Sequence, residues 1–198
     1  MLETIPPVTA RVEVMEFFLT RRSRPARTLR LPVPSRDQLL PILTAAARVP
    51  DHGKLEPWRF VVLERPALAR LAGLAAERGA ALGMEEEKRQ KGVAQFSDSH
   101  LAIAVVKCPR PTDKIPEIEQ VLSTGAVCVT LLNAAAAAGW GANWLTGWAL
   151  EDDTFRREGL GLHPGEWVAG LIHIGTESSA PPDRPRPDLG RIVTWVGA

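Results

Sequence analysis

The stretch that decides the fold is residues 115–146, IPEIEQVLSTGAVCVTLLNAAAAAGWGANWLT. Its apolar residues alternate three and four positions apart, which is the spacing of one face of a helix. From Gly125 onward the run is apolar on nearly every side, so it predicts a long helix over 115–138 that is wholly buried, either centrally or at a subunit interface. Gly139 ends this helix, and a strand over 140–146 follows.

Shorter elements surround this helix, and their periodicity and their glycine and proline breaks set their limits. The pattern predicts helices over 12–22, from the Ser35 N-cap to 48, over 66–83, 85–95 and 152–159, and strands over 58–63, 101–107, 167–174 and 191–196. The core side of the second helix is predicted to carry Leu39, Leu40, Ile42 and Leu43. Helices and strands that intermix without a linker indicate one α+β domain, of mixed α/β architecture, over residues 1–198.

The last part of the chain is a proline-rich arm over 180–187 that precedes the strand expected at 191–196. Closely spaced prolines hold a segment extended, so this arm cannot easily fold back on its own chain. We therefore expect it to cross to a second subunit and make an intertwined homodimer.

Composition excludes several classes of partner. The formal net charge is +1, from 24 Lys and Arg against 23 Asp and Glu, which provides no general field for nucleic acid or an anionic membrane. The apolar run over 126–141 is short for a membrane span, and the first ten residues lack a targeting pattern. Cys108 and Cys128 have no metal-binding spacing, which favours two reduced thiols in a cytoplasmic protein.

The first candidate site is Arg21-Arg22-Ser23, at the end of the predicted first helix. Guanidinium groups offer paired donors that suit phosphate, and the serine hydroxyl adds another. The alternative is a solvated basic helix end that complements the helix dipole.

The second candidate is the turn that contains Arg48, Asp51, His52 and Gly53, between a helix and a strand. Ligands often bind at such turns, although an exposed histidine in a plain turn is the alternative. Asp51 beside His52 also forms a possible proton relay, but no nucleophile lies near them in the sequence.

The third candidate is Gly139–Gly147, GWGANWLTG, which superficially resembles a dinucleotide-binding loop. Trp144 replaces the third glycine of that motif, and the segment runs from helix to strand, whereas the motif needs the reverse order. What remains is a strand that can present flat apolar surface to a ring system.

Catalytic motifs of the common kinds are absent from the sequence. His100, His163 and His173 stand apart from one another, which is typical of structural histidines. Candidate binding segments without acid–base machinery indicate that a cofactor performs the chemistry.

Four features in this order resemble the nitroreductase family, and in particular its small, single-domain YdjA-type branch. They are the helix ending in RRS, the segment ARVPDHGKLEPWRFVV, the Ala-rich helix running into GWGANWLTG, and a GT before a basic proline-rich tail. The resemblance covers about 12–196. It implies a three-layer fold with a central mixed sheet of about five strands, a long central helix, and a homodimer with FMN bound at the subunit interface.

The resemblance also implies which residues bind FMN. Arg21, Arg22 and Ser23 fall where the family contacts the phosphate and ribityl chain, and Arg48 and His52 fall on a second contact segment. The strand residues Trp144, Leu145 and Thr146 line the flavin; Leu145 replaces a basic residue of the branch. Arg184 and Arg186 resemble a basic phosphate contact of larger members, and Arg48 is the candidate positive group beside the flavin N1 and O2 atoms.

The implied activity is hydride transfer from NADH or NADPH through FMN to a small organic acceptor, such as a nitro compound, a quinone or an enone, in a ping-pong sequence. The chain contains no tyrosine, so a tyrosine proton donor is excluded. Two alternatives stay open: another flavin reaction on the same fold, such as dehalogenation or dehydrogenation, and a flavin-binding or sensing protein without turnover.

Overall fold

The computed structural model describes residues 7–197, so most of the segment inspected for a targeting signal, 1–6, and Ala198 lie outside it. The helices are α1 (Val12–Thr20), α2 (Arg36–Ala46), α3 (Arg65–Ala81), α4 (Glu86–Ser97), α5 (Glu117–Ala137), α6 (Trp148–Glu151) and α7 (Leu189–Ile192). The strands are β1 (Leu29–Arg30), β2 (Trp58–Glu64), β3 (Leu101–Lys107), β4 (Gly141–Leu145) and β5 (Trp167–Glu177).

The five strands form one sheet in which β5 is the hub. The order is β1-β5-β3-β2, and β4 also pairs with β5. Every pairing within the described residues is antiparallel, with Glu64 opposite Leu101 and Asn143 opposite His173. The number of strands matches the prediction, but the expected mixed sheet is antiparallel in a single chain, because no described strand runs parallel to its neighbour.

Helices cover both faces of the sheet, which confirms the three-layer α+β fold. In β3 the side chains of 102, 104 and 106 face α3, α4 and α6, whereas 101, 103 and 105 face α2 and α5. All seven residues of β3, the strand predicted over 101–107, are buried. The core therefore consists of two apolar layers on either side of one sheet.

The second helix begins as the sequence predicted. Ser35 accepts a hydrogen bond from the Gln38 backbone, and the Gln38 side chain accepts one from the Ser35 backbone, which completes a capping box. Leu39 and Ile42 are buried as expected. Leu40 is exposed, so its placement on the core side was wrong: it lies one position from Leu39 and points away from the sheet.

Within one chain the long helix α5 is buried on one side only, so of the two predicted locations, central or at a subunit interface, the central one is not observed. Thr124, Val127 and Leu131 pack on the sheet, whereas Leu122 is 64% exposed and Val129 is also exposed. Among the described helices, α5 alone is long and apolar enough to cross a membrane, but core helices share these properties and α5 packs on the sheet.

The C-terminal arm departs from the prediction at its end. Residues 191–196 do not form the expected strand; α7 occupies Leu189–Ile192, and its first turn is capped by the Asp188 side chain, which accepts a hydrogen bond from Gly190 N. The β-branched residues and Trp195 favoured a strand, but no strand among residues 7–197 pairs with them. Trp195 is 91% exposed.

Candidate functional site

The segment that follows α1 is tied to the edge strand β4. Arg21 is the last residue capping α1, and its backbone N–H donates to the Phe17 carbonyl. Three residues later the chain runs beside β4, where Arg24 N donates to the Ala142 carbonyl at 2.8 Å. The Arg24 side chain pairs with Glu177 of β5 at 2.7 Å. These contacts hold Arg21, Arg22 and Ser23 at the sheet edge.

A cavity of about 500 Å³ opens between this segment and the proline-rich arm. We call it the basic cavity; it is lined by Arg21, Arg22, Ser23, Pro25, Asn143, Pro181, Pro182, Arg184, Pro185, Arg186 and Pro187. The arm thus reaches back to its own α1, where Arg186 donates to the Leu19 carbonyl at 3.1 Å, so the expectation that it could not fold back on its own chain was wrong. Five of the residues implicated by sequence are brought together here, including both tail arginines.

The guanidinium groups in the basic cavity outnumber the carboxylates that face them. Asp183 pairs with Arg22 at 2.6 Å and with Arg186 at 3.2 Å, and these contacts lower the pKa of Asp183, chiefly through the hydrogen bond from Arg22. Burial lowers the pKa of Arg21, and the neighbouring cations, Arg22 first, lower it further. An additional anion would relieve this repulsion.

Arg21 also carries an unused donor. Its Nη2 donates only weakly to Ser23 Oγ, at 3.4 Å, and its Nε is buried and has no hydrogen-bond partner among the described residues. A buried donor without a partner costs free energy, and a phosphate oxygen is the acceptor that a guanidinium binds best. The residues present therefore fit a phosphate group.

The second candidate segment lies away from the basic cavity in the described chain. His52 Nδ1 contacts Glu119 of α5 at 2.7 Å, and both side chains are exposed. Asp51 does not act on His52: its oxygens accept hydrogen bonds from the backbone of Leu55 and Glu56. Gly53 adopts the left-handed conformation, with φ of 73°, which allows the turn as predicted. Arg48 is exposed at the end of α2.

The β4 residues divide between the two faces of the sheet. Trp144 lies on the α5 face and is partly exposed, and its indole N–H donates to the Ala169 carbonyl at 3.1 Å. Asn143 and Leu145 lie on the opposite face, toward α4. The Thr146 carbonyl accepts a hydrogen bond from the Gln95 side chain at 2.9 Å, so the end of β4 is fastened to α4.

Sequence reasoning missed a second, smaller cavity, of about 160 Å³, which we call the β4–α4 pocket. Its lining consists of Ala26, Arg27, Lys91, Ala94, Gln95, Asp98, Ser99, Leu145 and His173. His173 is 2% exposed, and burial lowers its pKa to about 4. Two of the lining atoms, His173 Nε2 and Gln95 Oε1, are buried without a hydrogen-bond partner.

The remaining chemistry of the described residues is structural. No group of His, Cys, Asp and Glu in residues 7–197 is arranged to hold a metal ion. Cys108 and Cys128 are free and buried, as predicted, and burial raises their thiol pKa values to about 11 and about 12. Neither cysteine is therefore a thiolate nucleophile at neutral pH.

Comparison with known sequences settles the family. Residues 19–176 match the nitroreductase family. The chain belongs to this family of oxidoreductases. It is 31% identical over 166 residues to a protein of Escherichia coli (strain K12) named "Putative NAD(P)H nitroreductase YdjA", and the match covers 83% of the chain and 88% of that protein. The resemblance seen in the sequence motifs is confirmed.

Solved structures show the same fold. The nitroreductase-like family protein from Bacillus cereus superposes with a TM-score of 0.76 at 24% identity, covering 98% of this chain and 99% of that one. An FMN-dependent nitroreductase from Clostridium difficile R20291 superposes with a TM-score of 0.67 at 19% identity, over 91% and 98% of the two chains. The nitroreductase-like fold predicted from the sequence is therefore confirmed.

Proposed function

We propose that this chain is a cytoplasmic, NAD(P)H-dependent FMN oxidoreductase that acts as a homodimer on a small organic acceptor. The observation that supports this proposal best is the basic cavity, where an unused buried donor of Arg21 lies among several positive charges. Family membership and the FMN-dependent relative of the same fold point to the same cofactor.

In this proposal the basic cavity holds the phosphate of FMN. A phosphate monoester carries about two negative charges near neutral pH, and Arg21, Arg22 and Arg186 supply matching donors on one side, with Ser23 beside them. Arg184 lines the same cavity from the arm. The arginines bind and orient the cofactor, and they take no part in moving electrons.

Bound FMN supplies the redox chemistry, in which hydride from NADH or NADPH passes to a nitro compound, a quinone or an enone in ping-pong order. The protein's task is to position rings and to exclude water. Trp144, partly exposed at the sheet edge and held by its hydrogen bond to Ala169, presents a flat apolar surface for that purpose. Because the chain contains no tyrosine, any proton donated to the acceptor comes from another group or from solvent.

Exposed apolar surface supports the homodimer. In one chain α1 buries none of its residues, and Phe18 and Leu19 on it are 55% and 66% exposed. Ile118 and Leu122 on α5 are similarly exposed. Two apolar helix faces of this size are typical of a protein–protein interface, and a second copy of the chain is the partner we propose.

The dimer also gives a role to Arg48 and His52, which lie outside the basic cavity. His52 contacts Glu119, and Glu119 is adjacent in α5 to the exposed Ile118 and one turn from Leu122. His52 therefore lies beside the proposed interface. We propose that Arg48 and His52 of one subunit reach the flavin bound mainly by the other subunit.

The test begins with the visible absorption spectrum of the purified protein, with FMN added if the protein is colourless. We expect a flavin spectrum that bleaches within seconds after anaerobic mixing with NADH or NADPH. A protein that cannot be loaded with FMN would contradict the proposal. A protein that binds FMN but is not reduced by either donor would instead be a flavin-binding or sensing module.

A further inference from the structure

The turn that carries His52, residues 50–57, is held in a strained backbone conformation. Lys54 and Glu56 have φ of 52° and 47°, and they are the non-glycine residues with positive φ in the part of the chain that the structure describes. Side chains disfavour this left-handed region, and the strain persists only where neighbouring groups hold the backbone. Strain of this kind clusters at functional sites, which makes the groups that hold the turn candidates for positioning His52.

Arg110, in the loop between β3 and α5, holds the strained segment from outside the turn. Its Nε donates to the Leu55 carbonyl at 3.0 Å, and its Nε and Nη2 donate to the Glu56 carbonyl at 3.2 and 3.1 Å. The Asp51 carboxylate holds the same two residues from within, because it accepts hydrogen bonds from their N–H groups. Every backbone polar group of Leu55 and Glu56 is therefore bound, which fixes this part of the turn.

Arg110 is itself fixed by α5. The side chain of Gln120, which lies on α5, is buried. Its Oε1 accepts from Arg110 N at 3.0 Å, and its Nε2 donates to the Arg110 carbonyl at 2.8 Å. With its backbone held in this way, Arg110 links α5 to the strained segment.

The same helix also contacts the beginning and the middle of the turn. Ser123 Oγ donates to the Pro50 carbonyl at 2.8 Å and accepts from the Trp58 indole N–H at 3.2 Å. Glu119 contacts His52 Nδ1 at 2.7 Å. One helix thus supports the turn along its length. Since the exposed side of α5 forms the proposed dimer interface, the helix sets the position of the turn relative to the second subunit.

We propose that Arg110 is a positioning residue that orients His52 toward the flavin bound mainly by the partner subunit. Its guanidinium group is used on the carbonyls of Leu55 and Glu56, so it acts through the backbone of the turn and does not touch the cofactor. The inference rests on the proposed function, in which His52 of one subunit reaches the flavin of the other. It adds to that site a residue from the loop between β3 and α5.

The test is a double-mutant cycle on FMN affinity, measured by fluorescence titration of the apoproteins. His52→Ala should weaken FMN binding about fivefold, as expected for the loss of one hydrogen bond. Arg110→Ala should weaken it about threefold, less than loss of the whole side chain of His52. If Arg110 acts through His52, the double variant R110A/H52A should bind FMN as H52A does. Effects that multiply to about 15-fold in the double variant would overturn the inference.

Arg70→Ala is the matched control for a loss of stability alone. Arg70 is exposed, as Arg110 is, and it donates to a backbone carbonyl, that of Gly159, at 2.8 Å. This contact lies outside the basic cavity and outside the turn. The control should lower the melting temperature, as Arg110→Ala does, and should leave FMN affinity unchanged.

Ser123→Ala gives the same test if Arg110→Ala does not fold, since it removes only the hydroxyl that donates to the Pro50 carbonyl. Its effect on FMN affinity should likewise disappear in the H52A background. Unchanged FMN affinity in His52→Ala, or in both Arg110→Ala and Ser123→Ala, would overturn the inference. An unsubstituted protein that cannot be loaded with FMN would instead overturn the proposed function, so the two failures are distinguishable.

Discussion

Two arginine clusters in this molecule are built in opposite ways. Arg59 makes a bidentate contact with Glu166, at 2.9 and 2.7 Å, and Glu166 also accepts from His163 N at 2.9 Å and from Cys108. These bonds, chiefly those from Arg59, lower the pKa of Glu166 to about 2. In the basic cavity, by contrast, Arg21 Nε has no hydrogen-bond partner among the described residues. Arg22 and Arg186 share a single carboxylate there, that of Asp183.

The difference teaches how to separate structural from ligand-binding charge. In the Arg59–Glu166 cluster the carboxylate and guanidinium satisfy each other, so the cluster stabilises the fold and has little to offer a ligand. The basic cavity keeps an excess of donors, which an external anion would complete. The first three predictions below each perturb one of these two clusters.

The largest effect should follow Arg21→Ala. This change removes charge-assisted hydrogen bonds of about 1.5–3 kcal/mol each, and two such bonds correspond to FMN affinity weakened by at least about 100-fold. Isothermal titration of the apoprotein with FMN measures it. Arg36→Ala is the control, because Arg36 is exposed and pairs only with Glu64. Unchanged affinity in Arg21→Ala would remove this residue from the phosphate site.

A smaller effect, on stability only, should follow Glu166→Gln. The substitution weakens bonds to a charged group, so the free energy of unfolding should fall by about 2 kcal/mol at pH 7. Because the folded-state pKa of Glu166 is lowered to about 2, this stabilisation is present above the ordinary value near 4.5 and is lost as the pH falls toward 2. The difference between the two proteins should shrink over that interval.

Urea denaturation at several pH values measures this difference. A constant difference across the acid range would contradict the ion-pair explanation. FMN affinity of the folded variant at pH 7 should equal that of the unchanged protein, since Glu166 lies outside the basic cavity.

The smallest effect should follow Asp183→Asn. Asp183 carries the negative charge that occupies Arg22 and Arg186, and it would repel a bound phosphate. Its neutralisation should tighten FMN binding by roughly two- to threefold, a small effect because exposed charges interact weakly in water. Titration with FMN at low and moderate salt tests this. Weaker binding in the variant would show instead that Asp183 holds the arginines in position.

A further prediction tests whether the exposed apolar faces of α1 and α5 form the dimer interface. Replacing Leu122, on the exposed side of α5, by Glu should introduce charge into the proposed interface and shift the protein toward monomer. Light scattering after size-exclusion chromatography measures the mass. Leu82→Glu is the control, since Leu82 is also exposed but follows α3. A monomer before any substitution would contradict the proposed homodimer.

Local signals predicted most of the fold. Ser35 caps α2 as predicted, and the strand predicted over 101–107 formed with the same bounds. Signals that depend on partners elsewhere in the chain failed. Residues 191–196 have strand-forming composition, yet a strand needs an adjacent edge, and hydrophobic periodicity cannot show whether one is available.

The candidate site divides in the same way. Arg21, Arg22 and Ser23 are adjacent in sequence, so their motif predicted a cluster that the fold does bring together. Gln95 and His173 lie on different elements, α4 and β5, and only the tertiary fold places both in one pocket. A histidine within an otherwise apolar strand was the one available signal, and by itself it is equally typical of a structural residue.

The central claim is that the basic cavity recognises a phosphate, and the most direct measurement compares FMN with riboflavin, which lacks only that group. Apoprotein titrated by flavin fluorescence should bind FMN at least 100-fold more tightly than riboflavin. The advantage should fall with added salt and should largely disappear in Arg21→Ala. Equal affinity for the two flavins would contradict the account, because it would show that the arginines of the basic cavity do not bind the phosphate.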